Sequence, residues 1–215
     1  MHKAVIFDLD GTILDTLKDI ADNVNLMLNH FGYPQLEHKE IMQYIGNGAR
    51  MLVKRSIKVE LSESELDEKL AYYNKIYTSS PSDNTCVFSG LKEVLVALKQ
   101  KGYKLAILTN KPQMTTDKVC EKYLKDFGFD LVIGQRSGVP IKPDPTALLN
   151  MLDELDVNEN DAYFVGDGET DVMTAINAKV NGIAVLWGYR EKWQLEQAGA
   201  TVFAEKTSDL LSLII

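Results

Sequence analysis

Two hydrophobic periodicities divide the chain. Lys3-Ala4-Val5-Ile6-Phe7 is short, mostly apolar and partly β-branched, and predicts a buried strand. After Thr12 the spacing becomes helical. Ile20, Val24, Met27, Leu28 and Phe31 recur at i, i+3, i+4 intervals and stop at Gly32-Tyr33-Pro34. A second helical piece covers 38–44, and Gly46-Asn47-Gly48 separates it from a third over 49–55. Ser62-Glu63-Ser64-Glu65 offers a capping box for a fourth, with Leu66, Leu70, Tyr73, Ile76 and Tyr77 on one face. The breakers Ser79-Ser80-Pro81-Ser82 close the block. Residues 15–82 therefore read as a small all-helical domain inserted after the first strand, with 1–14 and 83–215 forming the other domain.

From Gly90 the pattern alternates. Helices are predicted over 91–101, 112–125, 143–155, 170–179 and 192–198 and at the C-terminus; strands over 104–109, 131–133, 162–165 and 182–187, with a strandlike piece at 201–203. Such alternation builds an α/β fold, a doubly wound, Rossmann-like parallel sheet with helices on both faces. Ligands of these sheets bind beyond the carboxyl ends of the strands.

The residues just after each predicted strand are then the ones to inspect. They are Asp8 and Asp10, Thr109-Asn110-Lys111, the segment 135–142 ending in Lys142, and Gly166-Asp167-Gly168-Glu169-Thr170-Asp171. Two carboxylates 4 Å apart repel by about 4 kcal/mol at an effective dielectric of 20, so converging acids call for a cation or a shared proton. The acids suit Mg²⁺, which prefers oxygen ligands and takes few of them from protein. The hydroxyl, amide and ammonium suit phosphate oxygens. Together they describe a site for a phosphate ester beside a divalent cation.

Composition narrows the partners. A formal net charge of -8 and no Lys/Arg-rich run argue against nucleic acid. A local cation still lets an acidic protein accept a small anion. No stretch reaches the length of a membrane span. Asp8 and Asp10 interrupt the one apolar run near the N-terminus, which does not read as a signal peptide. Cys86 and Cys120 have neither metal-ligand spacing nor a disulfide framework, and the expected location is cytoplasmic.

DLDGT after the first strand, Leu108-Thr109-Asn110, Lys142 before Pro143-Asp144, and Gly166-Asp167 with Asp171 resemble all four motifs of the haloacid dehalogenase (HAD) superfamily. The resemblance runs nearly end to end, and the helical block resembles that superfamily's helical cap. Asp15-Thr16-Leu17-Lys18-Asp19-Ile20, Gly46-Asn47-Gly48-Ala49-Arg50 and Trp187-Gly188-Tyr189 are similar to its phosphoglycolate phosphatase-type members. Gly168-Glu169-Thr170 departs from the Ser-x-Asn more usual there, although the flanking acids are kept.

The resemblance implies a phosphatase of small phosphomonoesters, with Mg²⁺ as cofactor and an aspartyl-phosphate intermediate. Asp8 would be the nucleophile and Asp10 the proton carrier. Asp8, the backbone carbonyl of Asp10 and Asp167 would bind the metal, with Asp171 supporting it. Thr109, Asn110 and Lys142 would hold the phosphoryl oxygens. Gly48 and Arg50 would meet substrate from the cap, Arg50 through a carboxylate. The partner is a small phosphorylated metabolite rather than nucleic acid or membrane, and the protein is expected to be a monomer or homodimer, opening at hinges near Asp15 and Ser82.

Plainer readings stand beside these. Thr109-Asn110 could cap a helix, Asp171 could sit in a first helical turn, Lys111 competes with Lys142, and Tyr72, Tyr73 and Tyr77 read as core and rim of the insert. Among other functions, pyrophosphate or a broad range of sugar phosphates could be the substrate. A phosphomutase resembles the same motifs, but residues 16–25 lack the histidine it would need. A receiver-type phosphoacceptor domain is shorter and has no helical insert. Dehalogenation would not need Asp10.

Overall fold

In the computed structural model, which describes residues 2–214, the predicted first strand is β1 (Ala4–Phe7). All four of its side chains are fully buried, as a strand covered on both faces must be. A two-residue β2 (Leu14–Asp15) leads into α1 (Leu17–His30), α2 (His38–Met42), α3 (Gly48–Ile57) and α4 (Glu63–Ser79), and β3 (Cys86–Val87) follows them. Alternation then takes over through α5 (Leu91–Gln100), β4 (Lys104–Pro112), α6 (Gln113–Tyr123), β5 (Leu131–Gln135) and α7 (Thr146–Glu154). It continues through β6 (Ala162–Gly166), α8 (Glu169–Ala178), β7 (Asn181–Val185), α9 (Lys192–Gln197), β8 (Phe203–Ala204) and α10 (Leu210–Leu213).

Six strands form one sheet in the order β5-β4-β1-β6-β7-β8, every pair parallel. Phe7 lies between Ile107 of β4 and Val165 of β6. Because side chains alternate across a strand, Val5 and Phe7 face one layer, with Leu105, Ile107 and the α5 residues Leu91, Leu95 and Leu98. Ala4 and Ile6 face the other, with Ala106, Phe164 and Leu148, Met151 and Leu152 of α7. After β1 the chain builds outward to β5 on one side, then returns to add β6, β7 and β8 on the other. The reversal opens a crevice at the carboxyl end of β1, where Asp8 and Asp10 follow.

The helices α1 to α4 have a separate core that includes Val24, Met27, Leu52, Val53, Leu66, Tyr73 and Tyr77. The Ser62 capping box is present: the Ser62 N–H donates to Glu65 at 2.8 Å and the Glu65 N–H donates to the Ser62 hydroxyl at 3.3 Å. Tyr189, from the loop after β7, is buried within this second core.

Three features depart from the sequence reading. β2 and β3 pair antiparallel, Leu14 opposite Val87 and Asp15 opposite Cys86, so the chain enters and leaves the helical block at one place. Two-residue strands are too short to carry a period. β4 runs to Pro112 rather than 109, with a bulge between Leu108 and Pro112 that holds Thr109, Asn110 and Lys111. The last strand lies at Phe203–Ala204 rather than 201–203. Among the described residues no helix is long and apolar enough to cross a membrane. Residues 1 and 215, which bound the expected domains, lie outside the described residues.

Candidate active site

Two strand ends, a helix's first turn and one loop deliver three acids and a lysine to the crevice. Asp8 follows β1, and its N–H donates to the Val165 carbonyl at 2.8 Å, which extends the sheet by one residue. Asp167 follows β6, and Asp171 lies in the first turn of α8. All three are buried, and one carboxylate oxygen from each lies within 4.8 Å of the others. Glycines make room for them. A Cβ on Gly11 or Gly188 would come within 2.3 Å or 2.2 Å of Asp167, and one on Gly166 within 2.3 Å of Asp171.

The three acids are anchored differently. Asp167 accepts the Thr12 hydroxyl at 2.8 Å on Oδ1 and the Tyr189 N–H at 2.8 Å on Oδ2. Asp171 accepts Lys142 Nζ at 2.6 Å and the Gly168 N–H at 2.9 Å. Asp8 Oδ1 is ion-paired with Lys142 Nζ at 2.9 Å and has no other polar partner among the described residues. Burial first, and the Asp171 charge second, push Asp8 up to about 6 against the opposing pull of Lys142. Burial, then Asp171 and Asp8, push Asp167 up to about 8. Burial works against the Lys142 charge, but Asp171 and Asp8 outweigh it and hold the ammonium above the ordinary lysine range.

A hard, oxygen-only donor set of three buried, mutually repelling acids balanced by one lysine fits a small divalent cation such as Mg²⁺. Asp10 is not in that cluster. Its carboxylate accepts the Thr16 hydroxyl at 2.7 Å and Lys111 Nζ at 2.9 and 3.1 Å. A metal contact from Asp10 is therefore left to its backbone carbonyl, as the resemblance implies.

Asp8, Asp10, Thr109, Asn110, Lys111 and Gly48 border one cavity between the sheet and the helices, with about 460 Å³ of space, part of it open to solvent. Thr109 is buried there, within the bulge of β4. Gly48 is at its edge with φ +79°, close to the Asn110 carbonyl and the Gln135 side chain.

Two expected substrate contacts are engaged elsewhere in the structure. Arg50 does not line the cavity: it pairs with Glu63 and Asp67, because α3 packs on α4 and turns that face toward the α4 acids. Asn110 is occupied at both ends. Its amide donates to the Gly46 carbonyl at 2.9 Å and the Lys142 carbonyl at 3.0 Å, and its Oδ1 accepts the Lys142 N–H at 2.9 Å. It holds the loop that carries Lys142, and its side chain has no donor left for a phosphoryl oxygen.

Sequence reasoning missed other participants. Arg190 is buried, pairs with Glu169 at 2.8 Å, and donates to the carbonyls of Met42, Gln43 and Ile45 at 3.1, 3.3 and 2.7 Å. With Asn110 it ties the turn after α2 to the sheet through backbone carbonyls alone. Tyr189 joins the acids to the linker: its N–H serves Asp167, and its hydroxyl accepts the Thr16 N–H at 2.9 Å. Trp187 donates from Nε1 to the Thr12 carbonyl at 3.1 Å. The Trp187-Gly188-Tyr189 resemblance marked this segment, but nothing in the sequence marked Arg190. Tyr73 and Tyr77, read as core and rim, also line the cavity.

A doubly wound parallel sheet with buried acids and a lysine at its switch point, roofed by inserted helices, defines an α/β protein with a candidate cation site. The haloacid dehalogenase-like hydrolase family model matches residues 5–185, and the chain belongs to that family. A phosphoglycolate phosphatase of Pseudomonas aeruginosa is 34% identical over 98% of this chain and 79% of its own length. One from Psychrobacter arcticus is 32% identical over 98% of this chain and 95% of its own. A solved Lactobacillus delbrueckii structure, provisionally described as a phosphoglycolate phosphatase, superposes with a TM-score of 0.90 at 29% identity, covering 100% of this chain and 98% of that one.

Proposed function

We propose that the protein is a Mg²⁺-dependent phosphatase that hydrolyses a small phosphomonoester through an aspartyl-phosphate, with phosphoglycolate as the first substrate to test. The observation that carries this reading is Asp8: a buried carboxylate at the sheet's switch point, ion-paired with Lys142 and clustered with the buried acids Asp167 and Asp171. Three buried acids around one ammonium are costly unless a cation completes the site. Two curated relatives named phosphoglycolate phosphatase support the substrate class.

In this reading an Asp8 oxygen attacks phosphorus, the ester P–O bond breaks, and Asp10 gives its proton to the departing alkoxide. Water then attacks the aspartyl-phosphate, Asp10 takes its proton, and phosphate leaves with Asp8 restored. Phosphoryl transfer asks mainly for positioning and charge neutralisation. Lys142 and Thr109 supply these at the phosphoryl oxygens, and Asn110 sets the position of Lys142. Asp8, Asp167 and the Asp10 carbonyl would hold Mg²⁺, with Asp171 beside them. The ion would supply charge stabilisation for the phosphoryl oxygens. The helices of residues 15–82 act as the cap that excludes water during turnover.

The test is phosphate release from a panel of small esters with and without Mg²⁺, in wild type and Asp8→Asn. Release that needs Mg²⁺ and vanishes in Asp8→Asn is expected. Equal release by both proteins would overturn the reading.

A further inference from the structure

The cavity has two chemically distinct ends. At one lie Asp8, Asp10 and Thr109, with Lys142 paired to Asp8. At the other, α1, α3 and α4 contribute Ile20, Ala49, Leu52, Tyr73 and Tyr77, none of them charged. Lys111 is the one cation among the described residues that line the cavity. Its side chain is 3% exposed, and Nζ donates to Asp10 on one side and to the Tyr77 hydroxyl at 2.7 Å on the other.

The phenols complete the picture. Tyr77 accepts from Lys111, and its own hydroxyl hydrogen has no acceptor among the described residues. The hydroxyl of Tyr73, stacked on Tyr77 with ring centroids 5.6 Å apart, has no hydrogen-bond partner among them at all. Burial holds both phenols protonated, as donors. An ammonium and two phenols that face the cavity with O–H donors unspent, in an otherwise apolar wall, form a receptor for an anion.

We propose that Lys111, Tyr77 and Tyr73 form the subsite for a second anionic group of the substrate, a carboxylate one or two carbons from the phosphate ester. The inference rests on the phosphatase reading for the orientation of substrate, with the phosphoryl group at Asp8. It assigns the carboxylate contact to the sheet's Lys111 and to α4, not to Arg50. The preferred substrates are then short phosphorylated carboxylic acids, and esters of neutral alcohols of the same length are poor ones.

The experiment compares pairs of molecules that differ only in the carboxylate. Binding of 3-phosphonopropionate and of propylphosphonate, neither of which can be hydrolysed, is measured by calorimetry with Mg²⁺ present. Hydrolysis of phosphoglycolate and of ethyl phosphate is measured in parallel. Wild type is expected to favour the carboxylate member by about 10- to 100-fold in both assays, the scale of a charged hydrogen bond. Lys111→Met should bring that ratio close to one. Tyr77→Phe, which keeps the Lys111–Asp10 pair, should lower it by about threefold to tenfold, and Arg50→Ala should leave it unchanged.

A wild-type ratio near one, or a ratio unmoved by Lys111→Met and Tyr77→Phe, overturns the proposal. If Lys111 served only to position Asp10, kcat would fall alike on both esters and the ratio would persist. Failure of the phosphatase reading looks different: no ester is hydrolysed, while the binding ratio still reports on the subsite.

Discussion

The two walls of the cavity are built on opposite plans. The sheet side presents Asp8, around which Asp167, Asp171 and Lys142 gather, each buried and mostly held by fixed hydrogen bonds or ion pairs. The helical side presents apolar and phenolic surface, and is joined to the sheet largely through its own backbone carbonyls, which Arg190 and Asn110 hold. Charge that must act on phosphorus sits on the rigid element, where its position is set by strand ends. On the proposed reading, the wall that would cover a ligand carries little charge, so moving it would cost little desolvation. That contrast predicts that changes on the sheet side abolish chemistry while changes on the helical side alter affinity.

The strongest test is Asp8→Asn, expected to lower phosphate release by about 10⁴-fold or more, as loss of a nucleophile does. It should also raise the melting temperature of the Mg²⁺-free protein by about 2–4 °C, because it removes one of three mutually repelling acids. A variant as active as wild type would erase the contrast.

Asp167→Asn comes next. The thermal shift produced by Mg²⁺ should move to concentrations about 10- to 100-fold higher, read by fluorimetry over a metal titration. An unchanged titration would remove Asp167 from the metal site.

Arg190→Ala tests the joint between the walls. Removing a guanidinium that serves three carbonyls, that of Ile45 in a buried hydrogen bond, should cost about 1–3 kcal/mol locally. Amide exchange in residues 42–48 should accelerate and KM should rise about tenfold, with a smaller change in kcat. Equal losses in both constants would mean that the turn belongs to the chemistry itself.

A pH series gives a smaller effect with a definite sign. Asp8 and Asp167 are pushed above the usual value of 3.8, to about 6 and about 8, so the folded protein holds these protons more tightly than the unfolded chain. Their neutral forms favour folding below about pH 4, and that contribution is lost as pH rises through 6 and then 8. Without Mg²⁺ the melting temperature should fall by a few degrees between pH 5.5 and 8.5. With Mg²⁺ the fall should flatten, since the cation favours the charged carboxylates. A melting temperature that rose over this window without metal would contradict the placement of the acids.

Arg50→Ala should do least. Its partners Glu63 and Asp67 are exposed, and the ion pairs are screened by solvent, so kcat/KM is expected to change by less than about threefold. A large loss would return Arg50 to the cavity.

Much of this could be read from the chain alone. β1 and the alternation after Gly90 announced a parallel sheet, because strands buried on both faces need continuous apolar runs and their crossovers need helices. Strand ends then named Asp8, Asp10, Thr109, Lys142 and Asp167, since a doubly wound sheet has one rim for its ligands. The motif setting favoured Lys142 over Lys111 for the phosphoryl group, but the sequence named a partner for neither lysine, nor for Arg50. A lysine or arginine carries no sign of its partner, and only packing turned Lys142 to Asp8 and Asp171, Lys111 to Asp10 and Tyr77, and Arg50 to α4.

Arg190 was invisible for a related reason: its ligands are the main-chain carbonyls of residues 42, 43 and 45, and carbonyls have no sequence identity. Local pattern thus determined the elements, the sheet and the rim on which chemistry gathers, because periodicity and strand ends are properties of neighbouring residues. The division of labour among the charges, and the docking of the helices above them, was decided only by the tertiary structure, because those contacts join positions 30 to 150 residues apart that share no local signal.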